Sequence, residues 1–414
     1  MLKKLLIILL SALCLALSLA YRTGGMSPSD FIDASPDKTI QTWQVAHPET
    51  LLKQSDRALE QNNPELAKQQ ALEAIRKNIT NGLAFAQLVT VAAKDDKLGL
   101  DAAKLAPLAE QLWPAHIGVQ IKLASYWQVQ NNLPKLMHAW HILMVRAPSL
   151  RKDIYPILFK LLSYQEGLEV LKNYTENPPS WWLGFFNYTA QQEQSLSQLR
   201  VLYNLRDTDT TTLTQEERAT FINSLIKSKL WEEAYFVWLA GLNENQLNES
   251  GFIYNGSFEN TDKTAGFDWQ FAKSPLVKTE IAATNGMVGQ RALHLSLNDK
   301  DRINFRHISQ VTKLNAGLYS FSARARVDNL QTGEGLRWRM HCMNNKNTLL
   351  GESTVLAKRK PWEELKFDFE VPANDCVFQI VRLEASSPFV NNHFFKGSLW
   401  FDDIRINRQL AKPQ

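Results

Sequence analysis

The sequence predicts a multidomain α + β protein, with an N-terminal alpha-alpha solenoid followed by a C-terminal all-β sandwich. Two patterns along the 414 residues support this prediction. Apolar residues recur at intervals of three and four from about residue 48 to 242, whereas short runs with a period of two follow residue 250. The composition of 44% hydrophobic and 21% charged residues is ordinary for folded domains and excludes wholesale disorder.

The net charge of the chain is small and is unevenly distributed along the sequence. The whole chain has a formal net charge of +4, and residues 251–414 carry 22 Lys and Arg against 17 Asp and Glu. Any attraction to an anionic partner is therefore expected at the C-terminal domain. This excess of positive charge is too small for a nucleic-acid-binding surface, which needs a concentrated basic patch. No nucleic-acid partner is therefore predicted.

Residues 1–20 have the pattern of an export signal. Lys3 and Lys4 precede a nearly unbroken apolar run that ends at Ala20. Small residues at Ser18 and Ala20 suit cleavage after Ala20, but the run is also just long enough to remain as a membrane anchor. Both interpretations predict a periplasmic protein or one anchored in the inner membrane and facing the periplasm. Residues 21–47 are expected to form a linker.

Residues 48–245 are predicted to form helical repeats. Polar turns punctuate the pattern, and Pro64 and Pro134 stand at equivalent places two periods apart. Three small residues at helical spacing leave room for a second helix to pack closely: Ala67, Ala71 and Ala74. This spacing resembles the tetratricopeptide repeat, which implies a concave groove that binds an envelope protein. The alternative is a spacer that holds the next domain away from the membrane.

Residues 251–410 are predicted to form a jelly roll, because about eight short strands in roughly 160 residues suit that architecture. Four motifs are similar to the family 4/9 type of carbohydrate-binding module: Ile253–Glu259, Gly289–Leu295, Leu314–Ala325 and Leu399–Ile404. The resemblance implies that this domain binds a polysaccharide.

The same resemblance implies a structural calcium. In the family such an ion often joins an acidic residue of the first strand to the closing aspartate, which are Glu259 and Asp402 here. The remaining ligands would be main-chain carbonyl oxygens. No other cofactor is expected.

One inference depends on strand alternation alone. A hairpin between residues 318–327 and 336–343 would place apolar residues on one side and six polar residues on the other: Ser322, Arg324, Arg326, Arg337, Arg339 and His341. Four arginines on adjacent strands repel one another unless anions lie between them, which favours a groove for an acidic glycan. The alternative is a solvated, salt-bridged face. Glu384, on the expected neighbouring strand with Arg382, would neutralise part of it.

Cys342 and Cys376 are the two cysteines outside the predicted signal. Cys342 ends one expected strand and Cys376 begins another, so antiparallel neighbours would bring them together. Two lone cysteines in an exported domain favour a disulfide over a metal site, and two reduced core thiols are the alternative.

No catalytic constellation is evident. Asp402 and Asp403 are adjacent on a strand and point to opposite faces, so they are not the carboxylate pair of a glycoside hydrolase. His138 and His141 lie three residues apart on a helix with no third ligand nearby, which argues against a metal site.

The predicted function is a non-catalytic, exported envelope protein that binds polysaccharide through the sandwich and a protein through the repeats. This combination suggests bacterial exopolysaccharide assembly or secretion. The alternative is a structural scaffold whose sandwich contacts protein. A hydrolase would require carboxylates that converge from distant loops.

Overall fold

The computed structural model describes residues 47–193, 196–208, 212–248, 250–262, 264–298, 302–344 and 346–409. The predicted export signal and all but the last residue of the predicted linker lie outside this part of the chain. None of the helices that the structure describes is long and apolar enough to cross a membrane. The chain divides into two compact units, Met1–Tyr188 and Thr189–Gln414.

The described part of the first unit is helical. Its helices are α1 (Pro48–Glu60), α2 (Pro64–Lys77), α3 (Gly82–Ala92), α4 (Ala102–Leu112), α5 (Ile117–Val129), α6 (Leu133–Arg146), α7 (Arg151–Leu161), α8 (Gln165–Lys172) and α9 (Trp182–Gln191). The division between the units falls inside α9. The predicted helices are present, and their assignment to the tetratricopeptide family stays a prediction.

Asparagines form the predicted turns before α2 and α6. Asn62 and Asn131 have left-handed backbone conformations, which asparagine tolerates better than most residues. The next residues, Asn63 and Asn132, cap the two helices by accepting hydrogen bonds from main-chain N–H groups of the first turn. A proline follows in each first turn, where an N–H group would have no partner within the helix.

Small side chains allow the first helices to pack closely. Ala67, Ala71 and Ala74 are completely buried. The Ser55 hydroxyl of α1 donates to the main-chain oxygen of Ala67 at 2.8 Å and accepts from Gln87 Nε2 of α3 at 2.9 Å. A larger residue at these alanines would force the helices apart.

The second unit contains four further helices and ten strands among the described residues. The helices are α10 (Leu196–Arg206), α11 (Gln215–Lys227), α12 (Trp231–Ala240) and α13 (Glu244–Asn248). The strands are β1 (Gln270–Phe271), β2 (Val277–Ala282), β3 (Ala292–Leu297), β4 (Ile308–Thr312), β5 (Gly317–Thr332), β6 (Leu336–Cys342), β7 (Leu349–Glu352), β8 (Lys360–Val371), β9 (Gln379–Ala385) and β10 (Phe395–Arg408).

Helix α12 packs on the sandwich through an aromatic cluster. The Trp238 ring lies 5.4 Å from the Tyr254 ring and 5.5 Å from the Phe267 ring, and its Nε1 donates to Thr264 Oγ1 at 3.0 Å. The Tyr235 ring lies 5.1 Å from Phe267. The compact unit therefore begins well before residue 251, where the sandwich was expected to start, because the last helices bury aromatic surface against it.

The strands form a sandwich of two antiparallel five-stranded sheets. Sheet A has the order β1-β4-β9-β6-β7, and sheet B has the order β2-β3-β10-β5-β8. Their inner faces share one hydrophobic core. The predicted fold class, helices followed by an all-β sandwich, is confirmed.

The expected hairpin between β5 and β6 is wrong. β5 pairs with β8 and β10, whereas β6 pairs with β7 and β9 in the other sheet. Alternation correctly identified the inward residues, but Phe321 and Trp338 meet across the core, with ring centroids 6.0 Å apart. Residues 333–335 carry the chain from one sheet to the other, which a period of two cannot distinguish from a hairpin turn.

The predicted disulfide between Cys342 and Cys376 is confirmed. The two Cα atoms are 5.3 Å apart, and both residues are buried. The bond joins the end of β6 to the segment just before β9, on the core side of sheet A.

Candidate functional site

The structure separates the six predicted glycan-binding residues into two groups of three. Ser322, Arg324 and Arg326 of β5 lie on the outer face of sheet B. Arg337, Arg339 and His341 of β6 lie on the outer face of sheet A. The single groove predicted from the sequence is therefore wrong, because β5 and β6 belong to opposite sheets.

The outer face of sheet A carries a compact cluster of charged residues. Arg339 stands opposite Arg382 of β9 and Glu352 of β7, and Arg337 stands opposite Glu384 of β9. We call the cluster the sheet A face; its members are Arg337, Arg339, His341, Glu352, Arg382 and Glu384.

Glu384 is the buried centre of the sheet A face, with 4% of its surface exposed. Its Oε2 lies 3.3 Å from Arg339 Nη1, and its Oε1 lies 3.1 Å from Arg382 Nη1 and 3.5 Å from His341 Nε2. Burial alone would raise the pKa of Glu384, but His341, Arg339 and Arg382 outweigh that effect and lower it to about 2. The carboxylate is therefore charged at neutral pH.

Glu352 pairs with the other side of the cluster. It forms ion pairs with Arg337 and with Arg339 Nε, the latter at 3.0 Å. Arg339 also donates to the main-chain oxygens of Ala385 and Ser386. Its guanidinium group is thus held on several sides, which fixes its orientation.

The sheet A face keeps an excess positive charge. It contains three arginines and two glutamates, so these five side chains have a formal charge of +1. The side chains of Arg337 and Arg382 are 21% and 17% exposed. Partly exposed, oriented guanidinium groups are suited to bind carboxylate or sulfate in a bidentate manner.

The outer face of sheet B carries a stack of planar side chains. The His294 ring lies on the Trp400 ring with centroids 4.1 Å apart. The Arg326 guanidinium lies 5.2 Å from the Trp400 ring and 5.4 Å from the Trp362 ring, and that of Arg324 lies 5.1 Å from Trp362. Cation–π contacts of this kind hold the planes together.

The arginines of sheet B bind the protein's own loop between β2 and β3. Arg326 Nη1 and Trp362 Nε1 both donate to the main-chain oxygen of Asn285, at 3.0 and 2.8 Å. Arg324 Nη2 donates to the main-chain oxygen of Gly286 at 3.0 Å. Arg324 and Arg326 therefore have a structural role that the sequence did not reveal.

Gly286 permits this close approach. Its φ of +79° is a conformation that L side chains rarely adopt, and a Cβ atom would lie 2.8 Å from the Trp362 ring.

The two predicted calcium ligands hold the same loop. Asp402 Oδ2 accepts from Val288 N at 2.6 Å, and Glu259 Oε1 accepts from Gln290 N at 2.7 Å and Arg291 N at 3.0 Å. Burial raises the pKa of Asp402, although amide donors, including Val288 N, oppose the rise. These carboxylate oxygens already bind N–H donors, and calcium binding there stays a prediction from the family resemblance.

The histidines considered for a metal site make other contacts. His141 Nδ1 accepts from Trp181 Nε1 at 3.1 Å, and His138 Nε2 lies 3.2 Å from Glu110 Oε1. Among the residues described, no three His, Cys, Asp or Glu side chains converge as metal ligands.

Sequence reasoning missed Glu352, Trp362 and Trp400 as partners of the arginines. Glu352 lies on β7, a strand of four residues that was not predicted. Trp400 was noted only within a family motif. The positions of Trp362 and Trp400 on the outer face follow from strand pairings that the sequence pattern does not reveal. Arg382 and Glu384 were expected beside the cluster, and they are.

No protein-family model matches the chain, and no curated protein matches it either. Several solved structures do match part of the chain. A family 4 carbohydrate-binding module matches at 15% identity, covering 38% of this chain and 99% of that chain, with a TM-score of 0.28. A family 22 xylan-binding domain from Paenibacillus barcinonensis matches at 13% identity, covering 35% of this chain and 87% of that chain, with a TM-score of 0.25.

An arabinose-bound α-L-arabinofuranosidase also matches, at 13% identity and a TM-score of 0.28, covering 38% of this chain and 26% of that chain. Similarity at these levels assigns no ligand and no activity to this chain.

Proposed function

We propose that the second unit binds an acidic polysaccharide through the sheet A face and does not cleave it. One observation carries the proposal. Three arginines share a cross-strand cluster with only two carboxylates, so the face has a positive charge that its own side chains do not neutralise. A carboxylate or sulfate of a glycan supplies the missing anion.

Pre-organisation supports the same conclusion. Glu352 and Glu384 orient the arginines before any ligand arrives, so little side-chain entropy is lost on binding. Arg339 is the most constrained of the three and positions the cluster. Arg337 and Arg382 make fewer contacts and provide the N–H groups for the ligand.

A structural scaffold is the second candidate function. It is favoured by the outer face of sheet B, where Arg324 and Arg326 bind main-chain oxygens of the protein itself. If the sheet A face also serves only to stabilise the sandwich, then no glycan will bind to the unit.

We propose in addition that the protein is exported and that its helical first unit binds an envelope protein. The basic and apolar pattern of residues 1–20 supports export, and a disulfide is typical of an oxidising compartment. A groove of about 410 Å³ in the first unit, lined by Leu52, Lys53, Trp113 and His116 among others, offers mixed polar and apolar contacts for a peptide. A role in exopolysaccharide assembly or secretion would unite these parts. Fractionation of cells that express the full chain tests the location, because export requires it in the periplasmic or membrane fraction.

Affinity electrophoresis of the full chain tests the binding proposal. Gels would contain alginate or hyaluronan, which are acidic, or dextran, which is neutral. The variant is Arg382→Gln, and the control is Arg306→Gln, an exposed arginine in the segment before β4 with the same change of charge.

We expect at least one acidic polysaccharide to retard the protein, and dextran not to. Arg382→Gln should weaken the retardation about tenfold, the effect of one charge-assisted hydrogen bond, while Arg306→Gln leaves it unchanged. No retardation in any gel would contradict the proposal and favour the scaffold.

A further inference from the structure

A separate cavity of about 290 Å³ lies at the open edge of the sandwich. β1 is the outermost strand of sheet A at this edge, and β2 is the outermost strand of sheet B. Residues of both strands, of the loop that precedes β1 and of α11 line the cavity. Its volume is near the lower end of the roughly 300–1,000 Å³ that is typical of small-molecule sites.

The polar lining consists of amides and carboxylates. Its members include Asn223, Asn255, Asn260, Gln270, Asp262 and Asp268. Among the lining residues described there is no Lys, Arg or His. The described lining therefore contributes two carboxylates, Asp262 and Asp268, whereas the sheet A face carries three arginines.

Hydrogen bonds hold one wall of the cavity rigid. Asn255 Nδ2 donates to the main-chain oxygen of Asn260 at 2.8 Å, and Asn260 N donates back to Asn255 Oδ1 at 3.0 Å. Trp269 Nε1 donates to the main-chain oxygen of Asn255 at 3.1 Å. The wall is thus formed before a ligand enters.

Two amides of the lining keep bonding capacity for a ligand. Gln270 donates through Nε2 to the main-chain oxygen of Asp268, and its Oε1 accepts no hydrogen bond within the described part of the chain. The exposed side chain of Asn223 likewise makes no hydrogen bond to another described residue. A side-chain amide offers both donors and an acceptor, which matches a hydroxyl group that donates and accepts.

The cavity adjoins the sheet A face. Gln270 stands opposite Ser309 on β4, which stands opposite Arg382 on β9. Two strand spacings, or about 10 Å, therefore separate the Gln270 and Arg382 backbones. Because cross-strand partners point to the same face of a sheet, the lining residue Gln270 shares the outer face of sheet A with Arg382.

We infer that this cavity binds one neutral sugar residue of the polysaccharide, an inference that rests on the proposed function. The amides and carboxylates bind its hydroxyl groups, and the apolar side chains of Phe271 and Ile281 contact its C–H surface. An acidic sugar is disfavoured, because Asp262 and Asp268 would repel its carboxylate. The bound glycan therefore has a neutral residue beside its acidic ones.

Titration of the full chain with monosaccharide glycosides tests this inference by itself. The probes are the neutral methyl glycosides of glucose, galactose, mannose, xylose, rhamnose and N-acetylglucosamine, and methyl glucuronide as the acidic counterpart. The readout is the NMR signal of the Trp269 indole N–H, which belongs to the cavity wall. The variants are Asn223→Ala and Gln270→Ala, and the matched control is Asn304→Ala, an exposed asparagine outside the cavity.

We expect at least one neutral glycoside to shift this signal, each cavity variant to weaken that binding at least fivefold, and Asn304→Ala to leave it unchanged. Methyl glucuronide should not shift the signal. If no neutral glycoside shifts it, or if the cavity variants bind as the wild type does, the inference is wrong. Retardation by acidic polysaccharides that depends on Arg382 would then still support the proposed function, so the two failures are distinguishable.

Discussion

Arg339 and Arg382 lie directly opposite each other across β6 and β9, and Glu384 contacts both guanidinium groups. Two like charges at opposed positions destabilise a sheet unless an anion lies between them. Here that anion is a buried carboxylate of the protein. The sheet A face can therefore hold its arginines together without a ligand and still keep one positive charge for an acidic glycan.

Glu384→Gln should lower the free energy of unfolding of the second unit by about 3 kcal/mol. The change removes the buried anion and leaves three cationic or polar partners without it. Glu352→Gln is the matched control, because that carboxylate is 35% exposed and its loss should cost less than about 1 kcal/mol. Urea unfolding of both variants measures the difference, and equal losses would show that burial of Glu384 does not matter.

Stability should fall as the pH is lowered from about 5 towards 2. The pKa of Glu384 is about 2 in the folded protein, below its ordinary value of 4.5, so its contribution is present above pH 4.5 and is lost as the pH approaches 2. The raised pKa of Asp402 acts in the opposite direction. Melting temperatures between pH 6 and 2.5 test this. Glu384→Gln should flatten the curve, and an unchanged slope would contradict the assignment.

Removal of the disulfide should destabilise the second unit by about 3–4 kcal/mol. The bond closes a loop with a sequence separation of 34, and that cost follows from the added freedom of the unfolded chain. The double variant Cys342→Ala/Cys376→Ala and the wild type would be unfolded with and without a reductant. The reductant should affect only the wild type, and a response of the double variant would point to another cause.

Trp238→Ala should destabilise the second unit by about 3–5 kcal/mol, because a buried indole in an aromatic cluster is lost. Phe236→Ala is the control on the same helix, since that ring is 59% exposed. Thermal unfolding, monitored by a spectroscopic signal that arises from the sandwich, measures the loss of stability in both variants. If Trp238→Ala leaves the sandwich transition unchanged, α12 is not part of its folding unit.

Much of the fold was predictable from the sequence, because helical and strand periods reflect which side chains are buried. The inward positions of Phe321 and Trp338 followed from alternation. The pairing of the strands did not follow from alternation, because residues that face each other across a core and residues side by side in a sheet show the same period. The division of the predicted arginine face between two sheets has this cause.

The contacts of the charged residues were also not predictable from the sequence, because they depend on which distant segments the fold brings together. Arg324 and Arg326 bind a loop that begins some 40 residues earlier in the sequence, at Asn285 and Gly286. The family resemblance paired Glu259 and Asp402 as calcium ligands. In the structure both carboxylates accept hydrogen bonds from main-chain N–H groups of that loop. Nothing in the local sequence around Trp238 indicates that it packs on the sandwich rather than on another helix.

The most direct test of glycan binding by the sheet A face compares the two outer faces of the sandwich. Calorimetric titration of the full chain with oligosaccharides of the acidic polysaccharide that retards it would be repeated with Arg382→Gln and with Arg324→Gln. Arg382→Gln should weaken binding about tenfold or more, whereas Arg324→Gln should change it less than twofold. Binding that depends on Arg324 and not on Arg382 would contradict this prediction and place the glycan on sheet B.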